Sequence, residues 1–337
     1  MEALHFSFII PVFNRPEEIK ELLDSFVNLD GNYGYEIVIV EDGSTMDSKA
    51  VIKEFQNKLN IAYYYKENSG PGDSRNFGMK KAKGNYFIIL DSDCLLPKDY
   101  LKMVRKYLSE DFVDCFGGPD TAHESFSNLQ KAINFAMTSF ITTGGIRGGA
   151  QSSKSFQPRS FNMGLSKVAF EASGGFGSIH PGEDPDLSIR LNKLGFKTQL
   201  IKEAFVYHKR RISWLKFYQQ VNKFGMVRPI LNAWHPETSR LTYWFPTMFS
   251  FGFVIALLLL GSGINLLIVI YGLYFLMAFI LAFFQTQNLV VAFQSLGAIL
   301  IQFFGYGYGF LKSTFIISVL GKNPEQQFPK LFFKHVE

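Results

Sequence analysis

Between positions 241 and 315 the chain carries a single charged residue, Lys312. Within that run, residues 244–261 and 264–284 hold no charge at all. Each approaches the roughly 20 residues that cross a bilayer core. A buried hairpin in a soluble protein rarely needs two consecutive uncharged segments of that length. The sequence therefore predicts two membrane spans joined by the short connector Ser262-Gly263. Residues 289–320 are also apolar, but Lys312 and the series Gly305, Gly307, Gly309 interrupt them. They read as one long span, as a broken or re-entrant helix, or as a span followed by an interfacial helix. Lys312, Lys322, Lys330 and Lys334 favour a cytoplasmic tail. Three simple spans would put that tail on the other side, so two to four embedded segments remain open.

Up to about Arg240 charges are spread throughout, and apolar strands alternate with helices. Residues 6–12, 36–40, 61–65 and 86–90 read as strands. Ile19, Leu22, Leu23, Phe26 and Val27 mark one face of a helix opened by Pro16. Residues 49–59 and 73–82 also read as helical. This alternation predicts a mostly parallel sheet covered on both faces. Further on, residues 126–141 carry a helical stripe, residues 161–165, 197–201 and 204–208 read as strands, and Gly195 stops a helix that opens at Glu183. Residues 212–224 read as a basic amphipathic helix, lying in a membrane interface or packed on the soluble domain.

The net charge of +5 is modest, and no dense basic run is interleaved with aromatics, which argues against a nucleic-acid partner. Lys209-Arg210-Arg211 suits anionic lipid headgroups or phosphates better. Two cysteines, Cys94 and Cys115, fit a reducing compartment. The N-terminus lacks a signal-peptide pattern, so the first domain is expected on the cytoplasmic side.

In parallel α/β sheets, ligands bind beyond the carboxyl ends of the strands. Asn14, Asp42 and the pair Asp91-Ser92-Asp93 all fall there. Two carboxylates flanking Ser92 at the end of a buried strand are costly unless they meet water or a cation. They suit a divalent metal carrying a phosphorylated ligand, or else form an Asp-rich turn. Asp42 accepts hydrogen bonds from a base or ribose, or caps the Gly43-Ser44 turn. Arg75 pairs with a base carbonyl or a phosphate oxygen, or is a solvated helix residue. Glu183-Asp184 opens a helix whose dipole keeps a carboxylate ionised and able to accept a proton from a hydroxyl; N-capping is the alternative. His208, at a strand end, ligates the metal, contacts phosphate or is structural. The Gly- and Ser-rich stretch 144–155 is a functional loop or a plain connector.

Taken in order, Pro11-Val12-Phe13-Asn14, Glu41-Asp42-Gly43-Ser44-Thr45 with Asp47, Asn68-x-Gly70 followed by Arg75-Asn76, Asp91-Ser92-Asp93, and Gly182-Glu183-Asp184 with Arg190 resemble the family 2 glycosyltransferases. The resemblance covers roughly residues 5–210. It implies a GT-A nucleotide-diphospho-sugar transferase fold, a Rossmann-like mixed sheet flanked by helices. The expected partition is a catalytic domain over 1–210, an interfacial linker over 211–240, membrane helices over 241–320 and a tail over 321–337. The resemblance implies an inverting transfer with Asp184, beside Glu183, as general base. Asp91 and Asp93 would hold Mn²⁺ or Mg²⁺ and the diphosphate, with Ser92 between them. Asp42 and Arg75 would hold the base beside the backbone of Pro11, Val12 and Asn14.

The apolar C-terminal part, with Tyr306-Gly307-Tyr308-Gly309-Phe310, is similar to bacterial members that build exopolysaccharides on lipid carriers. The expected partners are a nucleotide-sugar donor (UDP-sugar favoured), a lipid-linked or polysaccharide acceptor, and membrane lipid. The expected place is the bacterial inner membrane. The Gln-x-x-Arg-Trp signature of processive synthases is absent, which favours transfer of single sugars. A sugar nucleotidyltransferase would want a Gly-rich basic phosphate loop that residues 8–16 lack. A non-catalytic membrane component of a polysaccharide assembly or export complex is the alternative.

Overall fold

The computed structural model describes residues 3–31, 33–121, 126–144, 156–209 and 213–333. The stretch 145–155, together with Arg210 and Arg211, lies outside the described residues. The chain divides into two compact units. The first comprises Met1–His123, Gln151–His208 and Phe332–Glu337; the second comprises Glu124–Ala150 and Lys209–Leu331.

The first unit is an α/β domain. Its seven-stranded sheet uses β1 (Phe6–Val12), β2 (Tyr35–Asp42), β3 (Ile61–Lys66), β4 (Tyr86–Leu90), β6 (Cys115–Gly117), β8 (Asn162–Ser166) and β9 (Thr198–Leu200), in the order β3-β2-β1-β4-β8-β6-β9. The first four strands run parallel, and β8 runs antiparallel to both β4 and β6. A second sheet joins β5 (Cys94–Leu95), β10 (Val206–His208) and β7 (Asp120–Thr121), with β10 in the middle. Helices α1 (Pro16–Val27), α2 (Lys49–Phe55), α3 (Pro71–Lys81), α4 (Tyr100–Glu110), α7 (Lys167–Ser173) and α8 (Glu183–Lys193) complete the unit.

Every residue of β1 and of β4 is buried, which is why these strands read as continuous apolar runs rather than alternating ones. One core cluster holds Phe8, Ile10, Leu22, Phe26 and Ile88; the other holds Ile9, Val38, Phe87, Met163 and Leu187. Adjacent residues of one strand thus serve opposite cores. The β1–β4 ladder ends at Ile9–Ile89, although β1 continues to Val12 along β2. Pro11 falls beyond that ladder, so a residue without an N–H is tolerated in a central strand. The order 3-2-1-4 also makes the β1–β4 gap the switch point, where ligands enter sheets of this kind.

The second unit is helical: α5 (Asn128–Thr138), α6 (Phe140–Thr143), α9 (Trp214–Trp234), α10 (Phe245–Gly261), α11 (Leu266–Thr286), α12 (Leu289–Thr314) and α13 (Pro324–Gln327). Three helices are long and apolar enough to cross a membrane: Leu241–Gly261, Leu266–Thr286 and Leu289–Val319, with mean hydropathies of 1.9, 2.6 and 1.7. The glycines near 307 do not break α12; they are its packing surface. A Cβ at Gly309 would sit 2.3 Å from the Asn222 carbonyl oxygen, and one at Gly225 would sit 2.2 Å from that of Tyr306. Backbone contact between α9 and α12 is possible only because those side chains are missing. Residues 212–224 read as a short amphipathic helix, but α9 runs to Trp234 through Pro229 and buries Phe217, Val221, Gly225, Ile230 and Leu231. The stripe at 126–141 is two helices, because Ser139 adopts extended backbone between them.

Candidate active site

The loops that follow β1 and β2 are tied together by Asn14. It adopts φ 54°, in the left-handed region that Asn tolerates better than most residues. Its N–H donates to Ser44 Oγ (2.7 Å), and its Oδ1 accepts from the N–H groups of Thr45 (2.8 Å) and Met46 (3.0 Å). Glu41, fully buried, accepts from the Ser44 hydroxyl and from the Ser48 N–H at 2.9 Å.

Asp42 ends β2 nearly buried, and its carboxylate is already well used. Oδ1 accepts from Lys66 Nζ (2.8 Å) and the Ser69 N–H (3.0 Å); Oδ2 accepts from the Gly70 N–H (2.9 Å) and Asn68 Nδ2 (3.3 Å). It therefore shapes the 68–70 loop, and a base reaches it only by displacing one of these partners. Lys66 carried no signal in the sequence, because its partners lie on another strand and the next loop.

Arg75 joins the two acidic motifs. Its Nη2 donates to Asp91 Oδ1 at 2.7 Å and its Nη1 to Glu183 Oε1 at 3.0 Å. The side chains of Arg75 and Glu183 are each 3% exposed, so this is a buried ion pair rather than a solvated helix residue. Burial works against the Arg75 charge, but Asp91 and then Glu183 outweigh it and raise its pKa. Glu183 also meets His180 Nδ1 at 2.9 Å. Burial opposes its charge too, yet His180 and then Arg75 hold its pKa well down. Its Oε2 is buried with no hydrogen-bond partner.

Asp184 differs from its neighbour. It is half-buried and accepts from the Ser160 hydroxyl (3.1 Å) and the Ser160 N–H (3.3 Å). Burial first, and then the Glu183 charge, push its pKa up. Two adjacent carboxyls are thus driven apart, Glu183 toward the anion and Asp184 toward holding a proton. Both stand in the first turn of α8, behind Gly182 with φ 126°.

Asp93 meets two further side chains. Oδ2 lies 2.5 Å from Arg15 Nη1, and Oδ1 lies 3.1 Å from His208 Nε2. Burial lowers the Arg15 pKa, but Asp93 more than restores it. His208 closes β10, which pairs with β5 immediately after Asp93, and the Phe161 ring stacks on it at 4.9 Å. Ser92 is buried between the two aspartates. Pro11 and Val12 are the last residues of β1, at the switch point.

Asp93, Cys94 and His208 bring ligand atoms within 4.8 Å of one another. Carboxylate and imidazole fit Mn²⁺, and the carboxylate alone suits Mg²⁺. Cys94 fits neither: burial drives its thiol pKa well up, and its Sγ faces the Phe161 carbonyl at 3.4 Å. Asp91, a third exposed and paired with Arg75, is near but not one of the three. Sequence reasoning overlooked Arg15 and His180. Arg15 sat in view as the residue before Pro16, but its partner is far along the chain.

The model of the family described as "Glycosyl transferase family 2" matches residues 7–177, half of the chain. The chain belongs to that family. An uncharacterized glycosyltransferase of Rickettsia felis is 38% identical over 136 residues, 40% of this chain and 22% of the relative. Staphylococcus aureus TarS, named a poly(ribitol-phosphate) β-N-acetylglucosaminyltransferase, is 33% identical over 33% of this chain and 20% of its own. Escherichia coli chondroitin synthase is 26% identical over 60% of this chain and 34% of its own. The chain thus spans between a fifth and about a third of the length of these relatives. Among solved structures, the mannosyltransferase PcManGT of Pyrobaculum calidifontis, in complex with GDP-Man and Mn²⁺, superposes with a TM-score of 0.55 at 15% identity, over 96% of this chain and 89% of its own. The shared fold is the GT-A fold of family 2, and three apolar helices follow the catalytic unit.

Proposed function

We propose that the protein is an inverting glycosyltransferase. It moves a sugar from a nucleoside-diphosphate donor, UDP-sugar favoured, to a membrane-proximal, lipid-linked glycan acceptor in cell-surface polysaccharide synthesis. The observation that carries this reading is the pairing of unlike carboxyls at the start of α8. Asp184 has a raised affinity for protons, and Glu183 beside it is pinned by Arg75 to the end of β4.

In this reading Asp184 takes the proton of the acceptor hydroxyl. The hydroxyl oxygen attacks the anomeric carbon from the face opposite the departing nucleoside diphosphate, and the configuration inverts. Arg75 and Glu183 hold Asp91 and Asp184 in register. Asp42 and Arg75, with Pro11, Val12 and Asn14, border the space for the base. Asp93 and His208 would hold Mn²⁺ or Mg²⁺, which supplies positive charge to the leaving diphosphate. Relatives named for N-acetylglucosaminyl transfer and chondroitin synthesis support a UDP-sugar and a polysaccharide product.

In this reading the protein is a multi-pass protein of a bacterial inner membrane, with the catalytic unit facing the cytoplasm. Residues on both sides of the apolar helices, His208 before them and Phe332 after them, belong to the catalytic unit. A chain that leaves and re-enters one unit crosses a bilayer an even number of times. The most apolar windows of α10 and α11 are 17% and 11% buried and that of α12 is 39% buried, which supports α10 and α11 as the crossing pair.

Asp184→Asn is the test. It should lower transfer by on the order of a hundredfold or more while nucleotide affinity, measured by calorimetry with Mn²⁺, stays near that of the native protein. Substantial residual transfer would remove Asp184 from the role of base.

A further inference from the structure

The last described residues fold back onto the catalytic unit beside the acidic motif. Phe332 forms an antiparallel bridge with Ile179, and the Phe333 N–H donates to the Ser178 carbonyl at 2.9 Å. The Phe333 ring lies 5.9 Å from the ring of His180, the residue that holds Glu183. The ring also presses on Gly70. A Cβ at Gly70 would come within 2.3 Å of that ring, and Gly70 itself has φ +94°. The Gly70 N–H is one of the donors that fix Asp42. A tight cleft with almost no free volume lies between these two banks, lined among others by Ser69, Gly72, Asp73, Ser178, His180 and Phe333.

We propose that Phe333 is a positioning residue for the nucleotide donor. Docked as an added strand on the 178–179 segment, it forms an aromatic wall joining the loop organised by Asp42 to the loop that carries His180 and Glu183. The inference rests on the donor-site reading above and goes beyond it. The unit that would carry the donor site is built from three separated stretches of chain, the last of them following the helical unit in sequence. Docking of the tail and occupancy by donor then favour each other, since each reduces the freedom the other must remove.

The chemistry supports a wall rather than a plain anchor. The two banks offer the carboxylate of Asp73 and the imidazole of His180, and Phe333 is the one aromatic hydrocarbon surface lining this cleft among the described residues. A flat apolar face beside polar groups is the usual make-up of a site for a base or sugar ring. Gly70 fits the same account, because any side chain there would push the ring away from its seat.

The experiment compares Phe333→Ala and Phe333→Tyr in the full-length, detergent-solubilised protein. Calorimetry reads UDP binding with Mn²⁺, and steady-state transfer reads KM for the donor and kcat. Phe333→Ala should weaken UDP binding and raise the donor KM about tenfold, with kcat nearly unchanged, as expected for lost uniform binding. Phe333→Tyr should restore both constants, because the ring is kept. Unchanged UDP affinity and KM in Phe333→Ala overturn the proposal while leaving the transferase reading intact. Tighter UDP binding in Phe333→Ala also overturns it, making the ring a plug. Failure of the native protein to bind any of UDP, GDP or dTDP overturns this proposal together with the donor-site reading. Equal melting temperatures of the three proteins exclude a folding defect as the cause.

Discussion

The two units join distant stretches of chain by opposite means. In the catalytic unit, charge does it: Arg75 bridges Asp91 and Glu183, Arg15 and His208 meet at Asp93, and Lys66 reaches Asp42. In the helical unit, the absence of side chains does it. Gly225 and Gly309 let α9 and α12 touch, Thr247 donates to the Gly307 carbonyl at 3.1 Å, and Phe249 packs on Phe303 with ring centroids 4.4 Å apart. The difference follows from the surroundings each unit is built for. A water-facing crevice can hold several charges as long as each finds a partner. Helices apolar enough for a bilayer gain nothing from hydrophobic contact with one another, and so rely on close packing and on hydrogen bonds to backbone.

The largest effect should come from removing the central cation. Arg75→Met leaves Glu183 buried with only His180 for company and frees Asp91. Breaking a buried pair from one side costs about 3–5 kcal/mol. Thermal denaturation should show a large loss of stability, and UDP binding should vanish with it. A melting temperature within a degree or two of the native one would mean that the charges are not what holds the crevice, and the contrast between the units would fail.

A smaller effect is expected in the helical unit. Gly309→Leu forces α9 and α12 apart, and overpacking of this kind costs about 1–3 kcal/mol. Because the strain lies in the second unit, UDP affinity should stay near native while the thermal transition moves down. If UDP binding fell in parallel with stability, the two units would not be separable in the way their packing suggests.

The same contrast governs what the sequence made legible. Strands β1, β2 and β4 were readable because both faces are buried and each ends in a polar turn, whereas the half-exposed edge strand β3 was readable from its run of Ile, Ala and Tyr. The two-residue strands β5 and β7 carried no period, since pairing with β10 alone defines them. Asp91, Asp93, Glu183 and Asp184 stood out because acids after apolar runs are unusual. Arg15, Lys66 and His180 did not, since a basic residue in a loop or at a strand end looks solvated until its partner is known. The glycines of α12 read as interruptions because a missing side chain looks the same in a hinge and in a close contact. Only the facing residue, Asn222 or Val221, tells them apart.

The smallest effect, and the sharpest on mechanism, concerns the adjacent carboxyls. Asp184 must be ionised to accept a proton, and burial followed by the Glu183 charge raises its pKa. The kcat profile should therefore fall on the acid side at a pH above the ~3.9 of an ordinary aspartate. The stability signs are opposite for the pair. The raised Asp184 contributes stability that is fully present below its unfolded value and is lost as pH rises through its folded value. The lowered Glu183 contributes stability present above its unfolded value, lost as pH falls through its folded one. Glu183→Gln removes the second of the two causes acting on Asp184 and leaves the first. The acid limb should move toward lower pH but stay above the ordinary value, because Asp184 remains half-buried. A limb that stays in place after Glu183→Gln would show that burial alone sets the Asp184 proton affinity. A limb that moves up would mean that the titrating group gains proton affinity when the Glu183 charge is lost, the opposite of what Asp184 should do. The proton acceptor would then have to be sought elsewhere around the crevice.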